Sequence, residues 1–464
     1  MRRLLALFVL AACAPALQQQ PRAPRSALPS AYTKEQTAVP SSARIGWREF
    51  FQDPKLAALV DEALKNNQEL NVVGLEVQLA QNEVLVREGE FLPRVNARVG
   101  GGLERVGSYT SQGVSDEAHE VPEHLPDFGF GIFASWEVDV WAKLRNATKA
   151  ATLRYLASNE GRNFAITLLV GEIASSYYEL LALDAQLEVL QQNIAVQKSA
   201  LENVRLQKEA ARVTELAVKR FEAEVLKNES RLYAVQQQLV ATENRLNFLV
   251  GRFPQHVERD AKGFVELVPP AVHAGLPSQL LENRPDVIRA ELDLAAAELD
   301  VKVAKASFYP SLEIRAGLGA QSFDLLKLVT TPASLFYNVA ADVMAPLFNR
   351  KALTANYYSA NARQLQAVWQ YERALLKGYG EAATQLQAIE NLGKSYALRA
   401  EAVERLNESI DISNGLFASA RADYVEVLLT RREALESQLE LIETKKQQLN
   451  AVVNLYQALG GGWR

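Results

Sequence analysis

The chain has 464 residues, of which 48% are apolar, so it is long enough for two or three domains with buried cores. Its formal net charge of -5 lacks the clustered positive face that a nucleic-acid partner requires, so no nucleic acid is expected. A single cysteine excludes an intrachain disulfide framework.

The N-terminus has the pattern of an export signal. Two arginines precede a short apolar run, Leu4 to Leu10, and small residues then lead to Cys13. Because this run is far below the roughly 20 residues of a membrane-spanning helix, residues 1–12 are predicted to be a signal peptide. The order Leu-Ala-Ala-Cys resembles the lipobox of bacterial lipoproteins, which implies cleavage before Cys13 and its acylation. The alternative is an ordinary signal peptide with an incidental cysteine.

Residues 13–45 are predicted to be a lipidated, extended tether, because they are rich in Pro, Ala, Gln and Ser and have no apolar period. Ala14 follows the cysteine where an aspartate would be the usual signal for inner-membrane retention, which favours the outer membrane. No later apolar segment is expected to reach the length of a spanning helix.

The rest of the chain contains an internal repeat. Residues 64–93 align without a gap with residues 281–310, and further on Arg212 aligns with Arg421. A period near half the chain is too long for a solenoid, so it indicates duplication of one large unit. The predicted boundaries are 46–255 for the first repeat, 256–278 for a linker or equatorial segment, and 279–464 for the second repeat.

Each repeat is predicted to contain a helix, two strands and two long helices. Proline is absent between Pro126 and Pro254 and again after Leu347. Apolar residues there recur at threes, fours and sevens, which is typical of coiled coils. A helix of roughly 60 residues would be about 90 Å long.

Strand patterns precede these helices in both repeats. Between Phe128 and Val140 the even positions are apolar, whereas the odd positions are mostly small or acidic, and residues 95–99 and 312–321 alternate likewise. Charges and glycines on one face favour a water-filled lumen behind a lipid-facing wall over an ordinary half-buried sheet.

The number of strands requires more than one chain. The two repeats supply about four strands, whereas membrane barrels need roughly eight or more. Open sheet edges cannot sit in lipid, because each unpaired backbone group there costs several kcal/mol. Several copies must therefore share one barrel, and the residues permit two, three or more.

Short motifs then give the chain a family resemblance. It resembles the TolC-type outer-membrane efflux proteins, specifically the lipoprotein branch that includes OprM, over nearly everything after Cys13. The motifs that carry this resemblance are Ile-Gly-Trp-Arg-Glu-Phe-Phe at 45–51, Trp-Glu-Val-Asp at 136–139, Gly-Leu-Pro-Ser at 275–278, Arg-Pro-Asp at 284–286, Phe-Tyr-Pro-Ser at 308–311, and Val-Asn-Leu-Tyr-Gln-Ala-Leu-Gly-Gly-Gly-Trp at 453–463.

The resemblance implies a mainly α-helical fold with a small β part. It implies a homotrimer whose twelve-stranded barrel lies in the outer membrane and continues as a periplasmic α-helical barrel. It implies a passive exit duct for drugs or other small molecules that works with a periplasmic adaptor and an inner-membrane pump of the resistance–nodulation–division type. No cofactor is expected apart from the lipid on Cys13.

The family gates its channel at the periplasmic tips of the helical hairpins, which here correspond to residues 209–216 and 419–429. Asp423 and Glu426 would form acidic rings around the pore, which select cations. The alternative is that both are solvated charges on a helix face.

This chain departs from the family at the tips. Arg421 and Ala211 stand where a glycine is common in the helix turn. Thr430 occupies the position of an acidic gate residue in OprM, and Glu426 stands where OprM has a leucine. The first tip keeps the family's small-hydroxyl turn, which is the expected adaptor contact and is formed by Arg212, Val213, Thr214 and Glu215.

No enzymatic signature and no metal site are expected. All four histidines fall in predicted loops, and His119 and His124 lack zinc-type spacing. Within the duct class, type I protein secretion and heavy-metal efflux are alternatives to drug efflux. A structural coiled-coil envelope lipoprotein is the alternative of another class, and it leaves the duplicated strands unexplained.

Overall fold

The structure, a computed structural model, describes residues 14–20, 22–32, 41–419 and 421–464. The predicted signal peptide and the lipid-attachment residue Cys13 therefore lie outside the described residues. The described residues divide into two compact units. The sheet unit contains the residues up to Pro24 with Val77–Ser158 and Ala290–Gln370, and the helical unit contains Arg25–Glu76, Asn159–Arg289 and Tyr371–Arg464.

One helix, two strands and two long helices occur twice in chain order, which confirms the predicted mainly α-helical, duplicated fold class. The strands are β1 Arg94–Glu104, β2 Leu125–Val138, β3 Ser311–Ser322 and β4 Leu335–Met344. The helices longer than one turn are α1 Pro54–Asn66, α2 Gln68–Phe91, α3 Ser111–Ala118, α4 Lys143–Glu209, α5 Glu215–Val250, α6 Pro285–Ala306, α7 Lys351–Ala418 and α8 Tyr424–Ala458.

The helix ends follow local chemistry. Helix α1 begins at Asp53, whose carboxylate accepts hydrogen bonds from the backbone N–H groups of Lys55 and Leu56. Helix α5 ends at Gly251, which adopts φ +84 and lies so close to the backbone of Asn66 that a side chain would not fit. Helices α4 and α7 are 67 and 68 residues long because no proline interrupts them.

One stretch of α4 is apolar enough to cross a membrane by length and composition, contrary to the expectation that no segment after the signal peptide would be. However, 72% of that stretch is buried within the protein. Its apolar character therefore fits a core helix. Ile173, Tyr177 and Leu180 from this helix are fully buried in the largest hydrophobic cluster.

The four strands form one antiparallel sheet in the order β1-β2-β3-β4. The register pairs Val99 with Phe130 in β1 and β2, and Ile132 with Leu318 in β2 and β3. Residues of like character therefore align across the sheet, as the alternation predicted. Strands β1 and β4 are the two edges.

The two faces of the sheet differ sharply. On the apolar face, Val99, Tyr337 and Val339 are 86%, 84% and 77% exposed. The polar face carries charged side chains, including Glu313 and Arg315, whose side chains form an ion pair at 2.8 Å. An exposed apolar face behind a charged one is the arrangement expected of a wall between hydrocarbon and water.

Two aromatic rings lie on glycines of the polar face. Phe133 pairs with Gly317 and Phe336 pairs with Gly319, and the two ring centroids are 6.1 Å apart. A Cβ added to Gly319 would stand 2.3 Å from the Phe130 carbonyl oxygen. The strands therefore approach so closely at this point that only glycine fits.

The core of the helical unit joins residues that are far apart in the sequence. The Phe50 and Tyr456 rings stack with centroids 3.9 Å apart, and the Tyr456 hydroxyl donates to the Ile45 carbonyl oxygen at 2.6 Å. Both rings are buried. The stack and the hydrogen bond join the motifs at 45–51 and 453–463.

The first part of the tether segment, at residues 14–20 and 22–32, contacts helix α7. In the sheet unit, Asn361 donates to the Gln19 carbonyl oxygen at 2.9 Å, and the Arg22 guanidinium lies 4.2 Å from the Trp369 ring centroid. In the helical unit, the Tyr379 hydroxyl donates to the Ala31 carbonyl oxygen at 3.2 Å. Residues 14–20 and 22–32 therefore have no helix or strand but pack on the protein, whereas a short 3-10 helix, Ser42–Arg44, lies near the end of the predicted tether.

The segment between α5 and the second repeat is fastened to helices of the helical unit. The Arg259 guanidinium bonds the carboxylates of Asp184 in α4 and Glu243 in α5, both at 2.5 Å. Further along, Lys445 of α8 donates to the Leu267 carbonyl oxygen at 2.8 Å.

The connection between β1 and β2, which was predicted to be a loop, contains helix α3. Thr110 caps this helix by accepting a hydrogen bond from the backbone N–H of Gly113. His119 follows its last turn and bonds the Ser115 carbonyl oxygen at 2.7 Å. In the described part of the chain, no three His, Cys, Asp or Glu residues are placed to hold a metal ion.

Candidate gate at the hairpin tips

The first tip joins α4 to α5. Its turn is a helix C-terminal motif in which the Arg212 N–H donates to the Gln207 carbonyl oxygen at 2.8 Å and the Ala211 N–H donates to that of Lys208 at 2.9 Å. Ala211 adopts φ +55, the conformation that glycine usually takes at this position. An L-residue therefore carries the strain of a conformation that favours glycine at this turn.

The second tip joins α7 to α8 and corrects the role expected of Arg421. The Arg421 N–H donates to the Leu416 carbonyl oxygen at 2.8 Å, the bond that Arg212 makes in the first tip. Arg421 is thus one residue beyond the position where glycine is common. The residue at that position, 420, lies outside the described residues.

The candidate gate acids stand at the start of α8. Asp423 is its N-cap residue and makes no side-chain capping bond, and Glu426 lies in the first turn. Both are exposed, and neither side chain bonds or pairs with a residue of the described chain. The two carboxylates remain available to a partner, an ion or a symmetry-related copy.

The other two gate candidates differ from these acids. Thr430 is half-buried, and its hydroxyl donates to the Glu426 carbonyl oxygen at 2.8 Å, so it is engaged by its own helix. The Arg421 side chain is exposed.

The predicted adaptor contact is mostly exposed. Arg212, Thr214 and Glu215 are exposed, whereas Val213 is half-buried against the hydrophobic cluster inside the tip. Glu215 is an internal partner as well, because it pairs with Lys208 and, at 3.7 Å, with Lys219.

A row of ion pairs runs along the first hairpin and was not predicted from the sequence. Beyond Glu215, Lys219 meets Glu222 at 2.9 Å, and Glu222 also meets Arg205 of the facing helix at 3.0 Å. The hydrogen bond from Lys208 lowers the pKa of Glu215, and those from Lys219 and Arg205 lower the pKa of Glu222. These exposed ion pairs join the two helices at the surface of the tip, in addition to the apolar cluster that packs between the helices.

In the second hairpin, two positions of this row of ion pairs (the charge ladder) carry uncharged side chains. In the register that aligns Arg212 with Arg421, Glu215 and Lys219 correspond to Tyr424 and Leu428. These two side chains pack on the cluster formed by the first hairpin, whose buried members are Leu201, Val204, Ala217, Val218, Phe221 and Val225. The second tip therefore depends on the first for its packing.

Arg431 corresponds to Glu222 in the same register. Its guanidinium donates to Asn414 at 3.1 Å, while its buried Nε has no hydrogen-bond partner within the described chain. Burial lowers the pKa of Arg431, and the Asp411 charge opposes this effect. The repeat register was the signal that would have found this residue, since it pairs the two hairpins position by position.

Comparison with known proteins places the chain among efflux channels. The sequence model of the family described as outer membrane efflux protein matches residues 59–252 and 276–461. The probable outer membrane lipoprotein SilC of Salmonella typhimurium is 28% identical over 98% of this chain and 97% of its own length. The pyoverdine export outer membrane protein OpmQ of Pseudomonas aeruginosa is 29% identical over 90% of this chain and 87% of its own.

Solved structures agree. A crystal structure of CusC superposes with a TM-score of 0.83 at 25% identity and covers 96% of this chain and 100% of that one. The open-state structure of the Neisseria gonorrhoeae MtrE outer membrane channel has the same fold, with a TM-score of 0.84 at 21% identity and coverage of 97% and 99%.

Proposed function

We propose that this chain, which belongs to the outer membrane efflux protein family, forms its channel as a trimer in which three copies share one barrel. As a member of that family it is an outer-membrane efflux channel. The open sheet is the observation that supports a trimer. Strands β1 and β4 have unpaired edges, and the exposed apolar face is suited to contact with lipid rather than with water.

The strand count supports three copies. One copy contributes a four-stranded sheet, and a closed barrel in a membrane needs roughly eight strands or more. Three copies give twelve strands, as the family resemblance implies, and they leave no unpaired backbone edge in lipid.

The trimer and the pore are tested together. Purified full-length protein in detergent is weighed by native mass spectrometry and then inserted into planar bilayers. We expect a trimeric mass and stepwise conductance. A stable monomer that forms no pores would refute the proposed function and would favour a structural coiled-coil lipoprotein.

We further propose that Cys13 carries the lipid that anchors the N-terminus in the outer membrane. The lipobox-like sequence supports this, and the similar SilC is named a probable outer membrane lipoprotein. Replacing Cys13 with serine should abolish incorporation of labelled palmitate, whereas continued labelling would contradict the assignment.

The channel is proposed to receive its cargo from a periplasmic adaptor and an inner-membrane pump. The relatives differ in their named cargo, which includes pyoverdine for OpmQ and cations for CusC. We propose small molecules as the cargo class, with the pump rather than the duct setting selectivity. Heavy-metal efflux has less support from the residues, because Met1 and Met344 are the only methionines and offer no relay for soft metals.

The gate is proposed to be the acidic ring that symmetry builds from Asp423 and Glu426. Their exposure and lack of partners support this, since carboxylates gathered around a pore attract cations. Replacing both with alanine should raise single-channel conductance and reduce cation preference while the trimer remains intact.

The matched control for the gate is Glu215→Ala, in the first tip, whose carboxylate is already held by lysines. We expect a smaller change in cation preference from this variant. Unchanged conductance and selectivity in the Asp423→Ala, Glu426→Ala variant would refute the gate assignment.

A further inference from the structure

The two edges of the sheet carry complementary charges on the polar face. On β1, Arg94 and Arg98 are exposed, and neither pairs with an acid of the described chain. On β4, Asp342 has a side chain 49% exposed and reaches Arg315 only at 3.9 Å. Arg315 is already held by Glu313 at 2.8 Å, so Asp342 is loosely engaged.

The observed registers limit how a second copy fits. Arg94 pairs with Ser135, Ser135 with Arg315, and Arg315 with Ala340, so these four residues lie on one line across the sheet. Joining two copies without stagger would place Ala340 opposite Arg94 of the next copy.

Barrel geometry requires a stagger. Four strands about 4.8 Å apart span roughly 19 Å, and strands tilted by about 35–45° then shift by roughly 13–19 Å per copy, or about four to six residues. Because neighbouring side chains alternate between faces, an odd shift would turn the polar face toward lipid. Only shifts of four or six residues remain, and the opposite direction would place Ala340 beside helix α2 instead of β1.

Both permitted registers bring the same charges together. With a shift of four, Asp342 lies opposite Asn96 and is flanked diagonally by Arg94 and Arg98. With a shift of six, it lies directly opposite Arg98. Opposite charges in either position stabilise a strand pair, whereas like charges destabilise it.

We propose that β4 of one copy pairs antiparallel with β1 of the next in one of these two registers, with Asp342 forming an ion pair with Arg98 across the interface. The partner is a second copy of this chain, and the inference rests on the proposed shared barrel. The ion pair adds specificity to an edge that backbone hydrogen bonds alone would leave free to slip.

Cysteine cross-linking tests the register. Asn338→Cys combined with Gly100→Cys reports a shift of four, and combined with Gly102→Cys it reports a shift of six. Both glycine sites have room for a side chain. We expect disulfide-linked oligomers from one of these pairs and none from Asn338→Cys with Asn96→Cys, the unstaggered register. Cross-linking through Asn96→Cys alone would overturn the proposal.

Charge reversal tests the ion pair. We expect Asp342→Lys and Arg98→Glu each to lower the temperature at which the trimer dissociates in detergent, and the double reversal to recover at least half of the loss. Glu104→Lys is the control, because Glu104 is opposite residue 334 or 336 in the permitted registers and neither is charged. Single reversals without effect, or no recovery in the double variant, would overturn the ion pair.

These failures differ from failure of the proposed function. If the unmodified protein is monomeric and forms no pores, the shared barrel itself is wrong. If it is a trimeric pore but the cross-links or charge reversals fail, only this interface is wrong.

Discussion

Gly319 shows how strictly single residues of the sheet are determined. A methyl group there would stand 2.3 Å from the Phe130 carbonyl oxygen and 2.7 Å from the Gly131 Cα, so the backbone itself must shift. Gly319→Ala should destabilise the protein by about 1–3 kcal/mol, measured by urea unfolding in lipid vesicles. The control Gly100→Ala, on the same face, meets only Arg98 Nε at 3.7 Å and should cost little. Equal effects would contradict the close-approach argument.

Substitutions of Arg431 and of its hydrogen-bond partner Asn414 should have different effects on stability. Arg431→Met removes a buried charge whose Nε lacks a partner in the described chain, so stability should stay unchanged or rise. Asn414→Ala instead leaves that charge without its hydrogen-bond acceptor and should lower stability by about 1–3 kcal/mol. Thermal unfolding followed by circular dichroism measures both. Loss of stability in both variants would mean that Arg431 contributes favourably.

At the scale of elements, the two hairpin tips should respond differently to pH. Hydrogen bonds lower the folded-state pKa of Glu215 and Glu222, so their contribution is present above the unfolded pKa and is lost as pH falls through the lowered values. The exposed ion pairs at the surface of the first tip should therefore weaken below about pH 4. The apolar cluster on which Tyr424 and Leu428 of the second tip pack contains no acidic side chain, so the second tip should not respond.

Spin labels measure this difference. Leu216→Cys, on the first tip, and Val425→Cys, its counterpart on the second, place labels at equivalent positions. We expect label mobility to rise on acidification only at residue 216. Parallel changes at both positions would mean that the charge ladder does not hold the first tip.

The sequence was most informative about the helices and strands. Period-two alternation predicted the faces of β2 and β3, and the proline-free heptads predicted α4 and α7, because those patterns follow directly from backbone geometry. Helix α3 escaped prediction because eight residues carry too little apolar period to stand out from a loop. The Lys208, Glu215 and Lys219 ladder was missed because it joins two helices whose facing sides depend on packing rather than on local pattern.

For the molecule as a whole, the family was predictable from its motifs, but their packing was not. The motifs at 45–51 and 453–463 carried the resemblance, yet nothing in either predicted that Phe50 and Tyr456 would stack. Contacts between residues so far apart are decided by the assembled core. The fate of Cys13 and the acidic gate remain predictions.

The stack of Phe50 and Tyr456 predicts a graded loss of stability. Tyr456→Phe removes the hydrogen bond to Ile45 and should cost about 1 kcal/mol, whereas Tyr456→Ala also removes the buried ring and should cost about 3–5 kcal/mol. Tyr233→Ala, at a position 70% exposed, should change stability by less than about 0.5 kcal/mol. Thermal unfolding of the three variants measures the order of their stabilities. An equal loss of stability in Tyr456→Phe and Tyr456→Ala would contradict the role of the ring.

Beside that stack, the hydrogen bond from Tyr456 to Ile45 joins residues separated by 411 positions. While the chain is being synthesised and exported, Phe50 and Phe51 lack their aromatic partner in the core, because the Tyr456 ring that contacts both arrives about 400 residues later. Such distant contacts form slowly because a long loop must close first. Aromatic side chains of the N-terminal motif therefore stay exposed during export. A nascent chain interrupted before residue 456 remains open to aggregation and to proteases.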